Sequence, residues 1–393
     1  MTKLEQLIKE LCPNGVKYVA IKDYFTRLKG TPITAGKMKE IESPDGEIRI
    51  FAGGKTVINA HEKDIPNANI TRVPAVLVQS RGVIDFIYYE KPFTFKNEMW
   101  AYTAENKITV KYLYYFLQNN TQHFRDSASG MGSLPQISLH VTEDFKILVP
   151  PLEVQAEIVK ILDNFTELTA ELTAELTARK KQYEYYRDLL LDFGVHGGAT
   201  SECKWRTIKL GDIGKISMCK RIMKSETSPD GDIPFYKIGT FGGEPNAYIS
   251  RETFEKYKSM YSFPKKGDIL ISAAGTIGRT VVYDGEPAYY QDSNIVWIDN
   301  DETKVINRYL YYVYQLSPWQ ISTGGTIARL YNDNIANAKI NIPSIKEQER
   351  IVSILDRFDK LCNDISEGLP AEIEARRKQY EYYRDKLLSF KEQ

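Results

Sequence analysis

Cysteine is scarce: Cys12, Cys203, Cys219 and Cys362 are the only four in 393 residues. None forms a CxxC pair, which argues against structural zinc and reads as unpaired thiols of a reducing compartment. Charge of one sign is lacking too, because 52 Lys plus Arg balance 52 Asp plus Glu. No global field therefore draws the chain to nucleic acid, and any such binding must use local patches. No apolar run reaches the roughly eighteen residues of a membrane span. The opening Met1 to Glu10 is charged and helical, unlike a signal peptide. These absences predict a cytoplasmic protein with no membrane partner and no metal of its own.

Reaction motifs are missing as well. Gly54-Lys55-Thr56 echoes the end of a phosphate-binding loop, but the first glycine of that motif would fall at Arg49. Gly275-Thr276-Ile277-Gly278 lacks the dinucleotide spacing. Val149-Pro150-Pro151-Leu152 is not an acidic or amide residue followed by Pro-Pro-aromatic, so it offers no amino-methyl transfer. None of the four histidines stands in a pattern with a carboxylate and a nucleophile, and carboxylates do not cluster as in a metal nuclease. For an enzyme acting alone, only a site of scattered residues is left.

What the chain has is a duplication. After Pro150-Pro151 nothing breaks a helix as far as Phe193. Ile158, Ile161, Phe165, Leu168 and Leu172 recur at steps of three and four, a coiled-coil stripe. Three Glu-Leu-Thr-Ala units follow, from Glu167 to Ala178. Residues 178–189 return at 375–386, 197 positions on, identical but for Lys180 against Arg377 and Leu189 against Lys386. Gln155, Ile158, Leu162, Asp163 and Phe165 return as Gln348, Ile351, Leu355, Asp356 and Phe358, 193 positions on. The order is globular part, long helix, globular part, long helix. One amphipathic helix cannot hide its stripe alone, so an antiparallel pairing within the chain is expected. Gly368-Leu369-Pro370 should break or kink the second helix.

Within the first globular part, strands are expected near Tyr18, over Ile48 to Phe51, Val76 to Gln79 and Ile84 to Tyr89, and within Val141 to Val149. Thr31 to Gly46 reads as loop and Tyr112 to Leu117 as helix. The second part repeats this order. Its strands are expected at Phe235 to Ile238, Val281 to Tyr283 and Asn294 to Trp297; Gly267 to Ser272 leads into the glycine turn at Gly275 to Gly278, and Ser225 to Asp232 reads as polar loop. Outside the helices the halves share order but little identity. That fits two versions of one reader with different targets; it also fits drift after duplication.

Candidate DNA contacts are polar loop residues: Lys29, Lys37, Lys55, Arg81, Lys96 and Asn97 in the first half, and Lys220, Arg221, Lys224, Lys237, Arg279 and Arg329 in the second. Arg and Lys hold phosphates or the guanine edge, and Asn pairs with adenine. Arg279 has a rival role bracing its glycine turn. Candidate partner-docking residues are Arg179, Lys180, Tyr183, Tyr186 and Arg187, with Arg376, Arg377, Tyr380, Tyr383 and Arg384. Two copies of one partner would require this repeated text, while plain coiled-coil closure is the other reading.

Taken together, Ile147 to Val159 with its counterpart Ile340 to Val352, Gly267-Asp268-Ile269-Leu270 ahead of Gly275-Thr276-Ile277-Gly278, and the Thr-Ala-Glu-Leu units resemble the specificity (S) subunit of a Type I restriction–modification system. The resemblance covers the whole chain. It implies an α+β fold: two duplicated mixed α/β target recognition domains joined by two long helices that form an antiparallel intramolecular coiled coil. The segments would be 1–150, a first domain; 151–193, a helical spacer; 194–345, a second domain; and 346–393, a second helical region. It also implies a subunit without catalysis or cofactor of its own, which binds a bipartite, asymmetric site in double-stranded DNA. Its partners would be two methyltransferase subunits carrying S-adenosylmethionine and two restriction subunits using ATP and Mg2+. A stand-alone two-headed DNA-binding or scaffold protein is the alternative.

Overall fold

The computed structural model describes residues 2–129, 134–193, 204–321 and 328–390. Cys203 and the glycine-rich segments at 130–132 and 324–325 lie outside the described residues. The chain forms two compact units, Met1–Thr173 with Glu372–Gln393, and Ala174–Ala371. Each unit thus holds one globular domain and two helical segments.

Both domains have one topology. The first has a four-stranded antiparallel sheet ordered Thr26–Leu28, Trp100–Thr103, Ala75–Gln79, Asp85–Tyr89. In the second, the matching order is Gly214–Ser217, Ile295–Asn300, Ile269–Ser272, Thr280–Val282. Each adds a three-stranded sheet with one parallel pair: Ile48–Phe51 on Phe93–Phe95, and Ile233–Tyr236 on Tyr289–Tyr290. Each is closed by a two-stranded ladder from its first and last strands, Tyr18–Ala20 with Lys146–Leu148 and Trp205–Lys209 with Lys339–Pro343. The central strands Ala75–Gln79 and Ile269–Ser272 are buried throughout. Apolar burial rather than sequence identity carries the repeat.

The helices dock through contacts that occur twice. Tyr115 donates its hydroxyl hydrogen to Asp163 Oδ1 at 2.5 Å, and Lys111 Nζ lies 2.8 Å from Asp163 Oδ2. In the second unit Tyr312 donates to Asp356 Oδ1 at 2.5 Å, and Arg308 Nε donates to the same oxygen at 2.6 Å. Buried Gln155 and Gln348 donate to the carbonyls of Pro150 and Pro343 at 2.7 and 3.0 Å. Tyr112 and Tyr309 donate to the carbonyls of Leu148 and Asn341 at 2.9 and 2.8 Å. Every one of these pairs obeys the 193- or 197-residue offset read from the sequence.

The long helix is continuous from Leu152–Leu191. The C-terminal region is two helices, Ile345–Asn363 and Leu369–Leu387, so the predicted break stands. Pro370 sits in the first turn of the last helix, where a missing N–H costs nothing. A Cβ on Gly368 would lie 2.6 Å from Lys360 O and 2.7 Å from Asp364 O, so only glycine fits that corner. In the first unit Phe165 stacks on Tyr383 at 5.6 Å and 23° and meets Tyr380 at 6.4 Å. Ile158 and Leu162 share one core with Leu387 and Leu388, so these segments run antiparallel. The same ring pair recurs in the second unit, Tyr186 on Phe358 at 5.6 Å and 26°.

Three local expectations change. Thr31 to Gly46 is not all loop, because Ala35–Ile41 is helical. Thr34 caps it by accepting from Lys37 N, and Met38 and Ile41, one turn apart, are buried. Gly36 and the short length hid that helix. The strand expected at Phe235 to Ile238 lies at Ile233–Tyr236, with Lys237 in the turn beyond. The second domain also contains a helix, Arg251–Met260, that periodicity did not reveal; Ser250 caps it by accepting from Thr253 N.

Candidate DNA interface

In the first domain the residues that follow Thr26–Leu28 and Ala75–Gln79 and precede Trp100–Thr103 share one end of the antiparallel sheet. This geometry gathers Lys29, Lys55, Arg81, Lys96 and Asn97. Their loops touch: Gly53 lies against Glu98 and Arg81, and Gly82 lies against Gly54 and Leu134. Lys55 takes a left-handed backbone (φ 67), and its amide and that of Gly54 face the buried Gln79 side chain. Lys96 Nζ pairs with Glu98 at 3.0 Å. Lys29, Lys55, Arg81 and Asn97 are exposed. Lys37 does not join them; it sits on the Ala35–Ile41 helix and pairs with Glu40 at 2.9 Å.

A cleft of about 700 Å³ opens at this end, lined among others by Arg27, Lys29, Asn69, Asn97 and Gln136. Arg27 is tied to Glu143 at 3.3 Å, and Asn69 donates to Gly30 O at 2.7 Å. Gln136 is a residue that the motif reading missed. It closes the cleft through its backbone bridge to Arg81, and the Leu134-Pro135-Gln136 turn was its only signal. Such a rim, cations around uncharged amides, suits contact with phosphates and base edges.

The second domain places Lys220, Arg221 and Lys224 on the segment after Gly214–Ser217, all exposed. Lys220 Nζ lies 5.3 Å from the Tyr261 ring centre, and Arg221 Nε donates to Asp292 at 2.8 Å. Lys237 is half-buried, its amide donating to Thr240 Oγ1. Arg279 braces its turn by donating to Phe241 O at 2.8 Å. Arg329 likewise holds Ser293, donating to its carbonyl at 3.0 Å. Of these six candidates, therefore, Arg221, Arg279 and Arg329 brace loops, while Lys220 and Lys224 are exposed.

The duplicated helix text divides by face. Tyr183 is buried and donates to Gln315 at 2.8 Å, and burial pushes its hydroxyl pKa up. Tyr186, Tyr380 and Tyr383 meet phenylalanine rings of the facing helices. Arg187 and Arg384 lie over Tyr183 and Tyr380. Arg179 and Arg376 pair with Glu175 and Glu372, and Arg377 pairs with Glu381. Lys180 is exposed. The tyrosines turned furthest outward in both copies are Tyr185 and Tyr382, 63% and 62% exposed, which the reading of the motif passed over.

Among the described residues no group of three or more His, Cys, Asp or Glu side chains could hold a metal ion, and no helix is long and apolar enough to cross a membrane. Cys12, Cys219 and Cys362 are buried free thiols.

Comparison with known proteins agrees with this architecture. The family model described as the Type I restriction modification DNA specificity domain matches residues 13–179 and again 202–375. A putative type I restriction enzyme specificity subunit of Haemophilus influenzae is 53% identical over 306 residues, 76% of this chain and 77% of that protein. A type I restriction enzyme specificity subunit of Escherichia coli is 33% identical over 408 residues, 99% of this chain and 92% of that one. The crystal structure of the Type I restriction–modification S subunit from M. genitalium superposes with a TM-score of 0.62 at 15% identity, covering 96% of this chain and 97% of that one. With both halves matched by the same domain model and the fold shared from end to end, the chain belongs to the Type I restriction–modification DNA specificity family, the DNA-recognising part of such complexes.

Proposed function

We propose that the chain reads a bipartite, asymmetric target in double-stranded DNA, one half per domain, with an unread gap between. The observation that carries this reading is a repeated scaffold with different contents. The docking contacts recur residue by residue, whereas the sheet ends offer amides and lysines in one domain and lysines beside aromatic rings in the other. In the first domain Lys29, Lys55, Arg81 and Asn97 contact DNA, joined by Gln136; in the second, Lys220, Arg221 and Lys224 do so.

The chain recruits two methyltransferase subunits, which supply S-adenosylmethionine and adenine methylation, and in the full complex two ATP-dependent restriction subunits. Support for twofold recruitment comes from the exposed stripe Lys181, Glu184, Tyr185 and Asp188, repeated without change as Lys378, Glu381, Tyr382 and Asp385, of which Glu381 is half-buried. The inward tyrosines serve helix closure instead.

Co-expression with an adenine methyltransferase subunit, followed by native mass measurement, tests this. Two partner copies per chain and methylation of a two-block motif are expected. A chain that purifies alone, or a contiguous motif, would refute it.

A further inference from the structure

The second domain carries a ledge that the matching loop of the first, among the described residues, does not form. In the run Lys220 to Lys224, Ile222 is buried, while Met223 is 59% exposed between Arg221 and Lys224. The ledge is held firmly. Met223 N donates to Glu226 Oε2 at 2.9 Å, and the other oxygen of Glu226 accepts from Tyr257 on the Arg251–Met260 helix at 3.2 Å. Tyr289 donates to Lys220 O at 2.9 Å, fixing the start of the segment. At the end of that helix Tyr261 is 41% exposed, with the Lys220 ammonium over its ring.

Burial does not explain Met223, because it packs into no core cluster among the described residues. An exposed apolar side chain in a fixed loop, flanked by three cations, has one fitting surface: anionic groups around a stack of flat apolar faces. A DNA duplex is such a surface. In the first domain the matching loop is flush, since Gly30 lies against the Phe95 and Lys96 carbonyls and Thr31 is buried.

We propose that Met223 enters between adjacent base pairs of the second half-site, with Lys220, Arg221 and Lys224 on the flanking phosphates and Tyr261 supporting Lys220. The second domain then selects its half-site partly by how easily one step unstacks, favouring a pyrimidine–purine step. This rests on the reading that each domain holds its own half-site.

The test uses the full chain with its methyltransferase subunit and a duplex bearing the motif mapped by its methylation. 2-Aminopurine replaces each adenine of the second half-site in turn. Wild type should raise fluorescence at one step. Met223→Ala should remove that rise and weaken binding about tenfold, and Met223→Leu should keep both. The methylated adenine, extruded by the partner, is the internal control and keeps its signal in every variant at saturating protein. Equal affinity and equal fluorescence for wild type and Met223→Ala would overturn the inference and leave the two-half reading standing. A complex that methylates no two-block motif would overturn both.

Discussion

Single residues settle how each domain is fastened to its helix. Tyr115 and Tyr312 each place a hydroxyl on a carboxylate that a cation also holds. Tyr115→Phe and Tyr312→Phe should each cost about 1.5 kcal/mol, the lower range for a hydrogen bond to a charged group, because both carboxylates are partly solvated. Urea unfolding would show it as a lower midpoint with an unchanged slope. Glu47 gives a pH signature. Its carboxylate accepts from Glu62 N at 2.8 Å and contacts His61, which holds its pKa down to about 2, below the ordinary 4.5. A depressed folded pKa means stability present above the ordinary value and lost as pH falls from about 4.5 toward 2. Glu47→Gln should flatten that part of the acid profile in a melting series.

Among the elements, the long helix was the most legible. Its stripe, its freedom from breakers and its duplicated ends predict one continuous element, and it runs unbroken from Leu152–Leu191. The break at Gly368 was legible for the same reason: proline and glycine act locally, and Gly368→Ala should cost about 2 kcal/mol by driving a methyl into three carbonyls. Less legible were Ala35–Ile41 and Arg251–Met260, short helices whose caps are single hydroxyls. The division of the tyrosines was hidden too, because Tyr183, Tyr185 and Tyr186 are adjacent letters and only the facing helix decides which ring turns in. Gln136 and Met223 needed the structure, since a lone polar or apolar loop residue carries no pattern. The Thr-Ala-Glu-Leu units are regular helix, with Thr169 and Thr173 donating to carbonyls one turn back. Deleting Thr173 to Leu176 removes roughly 6 Å of helix. It should change the tolerated gap between half-sites and leave both half-sites alone, as a library of gap lengths would show. For the outward stripe, Tyr185→Ala with Tyr382→Ala should reduce methyltransferase recovery in a pulldown while melting temperature stays near wild type.

At the scale of the whole molecule, 52 basic and 52 acidic side chains leave no net field, so recognition depends on where a few cations stand. The two units share one topology and have unlike sheet ends, and their near-lack of shared identity outside the helices follows if only the scaffold is held constant. Lys29, Arg81 and Asn97 belong to one unit, Lys220, Met223 and Lys224 to the other, so their effects should separate by half-site. Alanine at Arg81 and Asn97 should relax one block of the target, and alanine at Lys220 and Lys224 should weaken the other. The most direct measurement is selection from a random duplex library with the assembled complex, followed by sequencing of the bound DNA. Two conserved blocks, separated by a gap of fixed length and free sequence, are predicted, with only the first block relaxed by Arg81→Ala and Asn97→Ala. A single contiguous block, or both blocks relaxed together, would contradict the account.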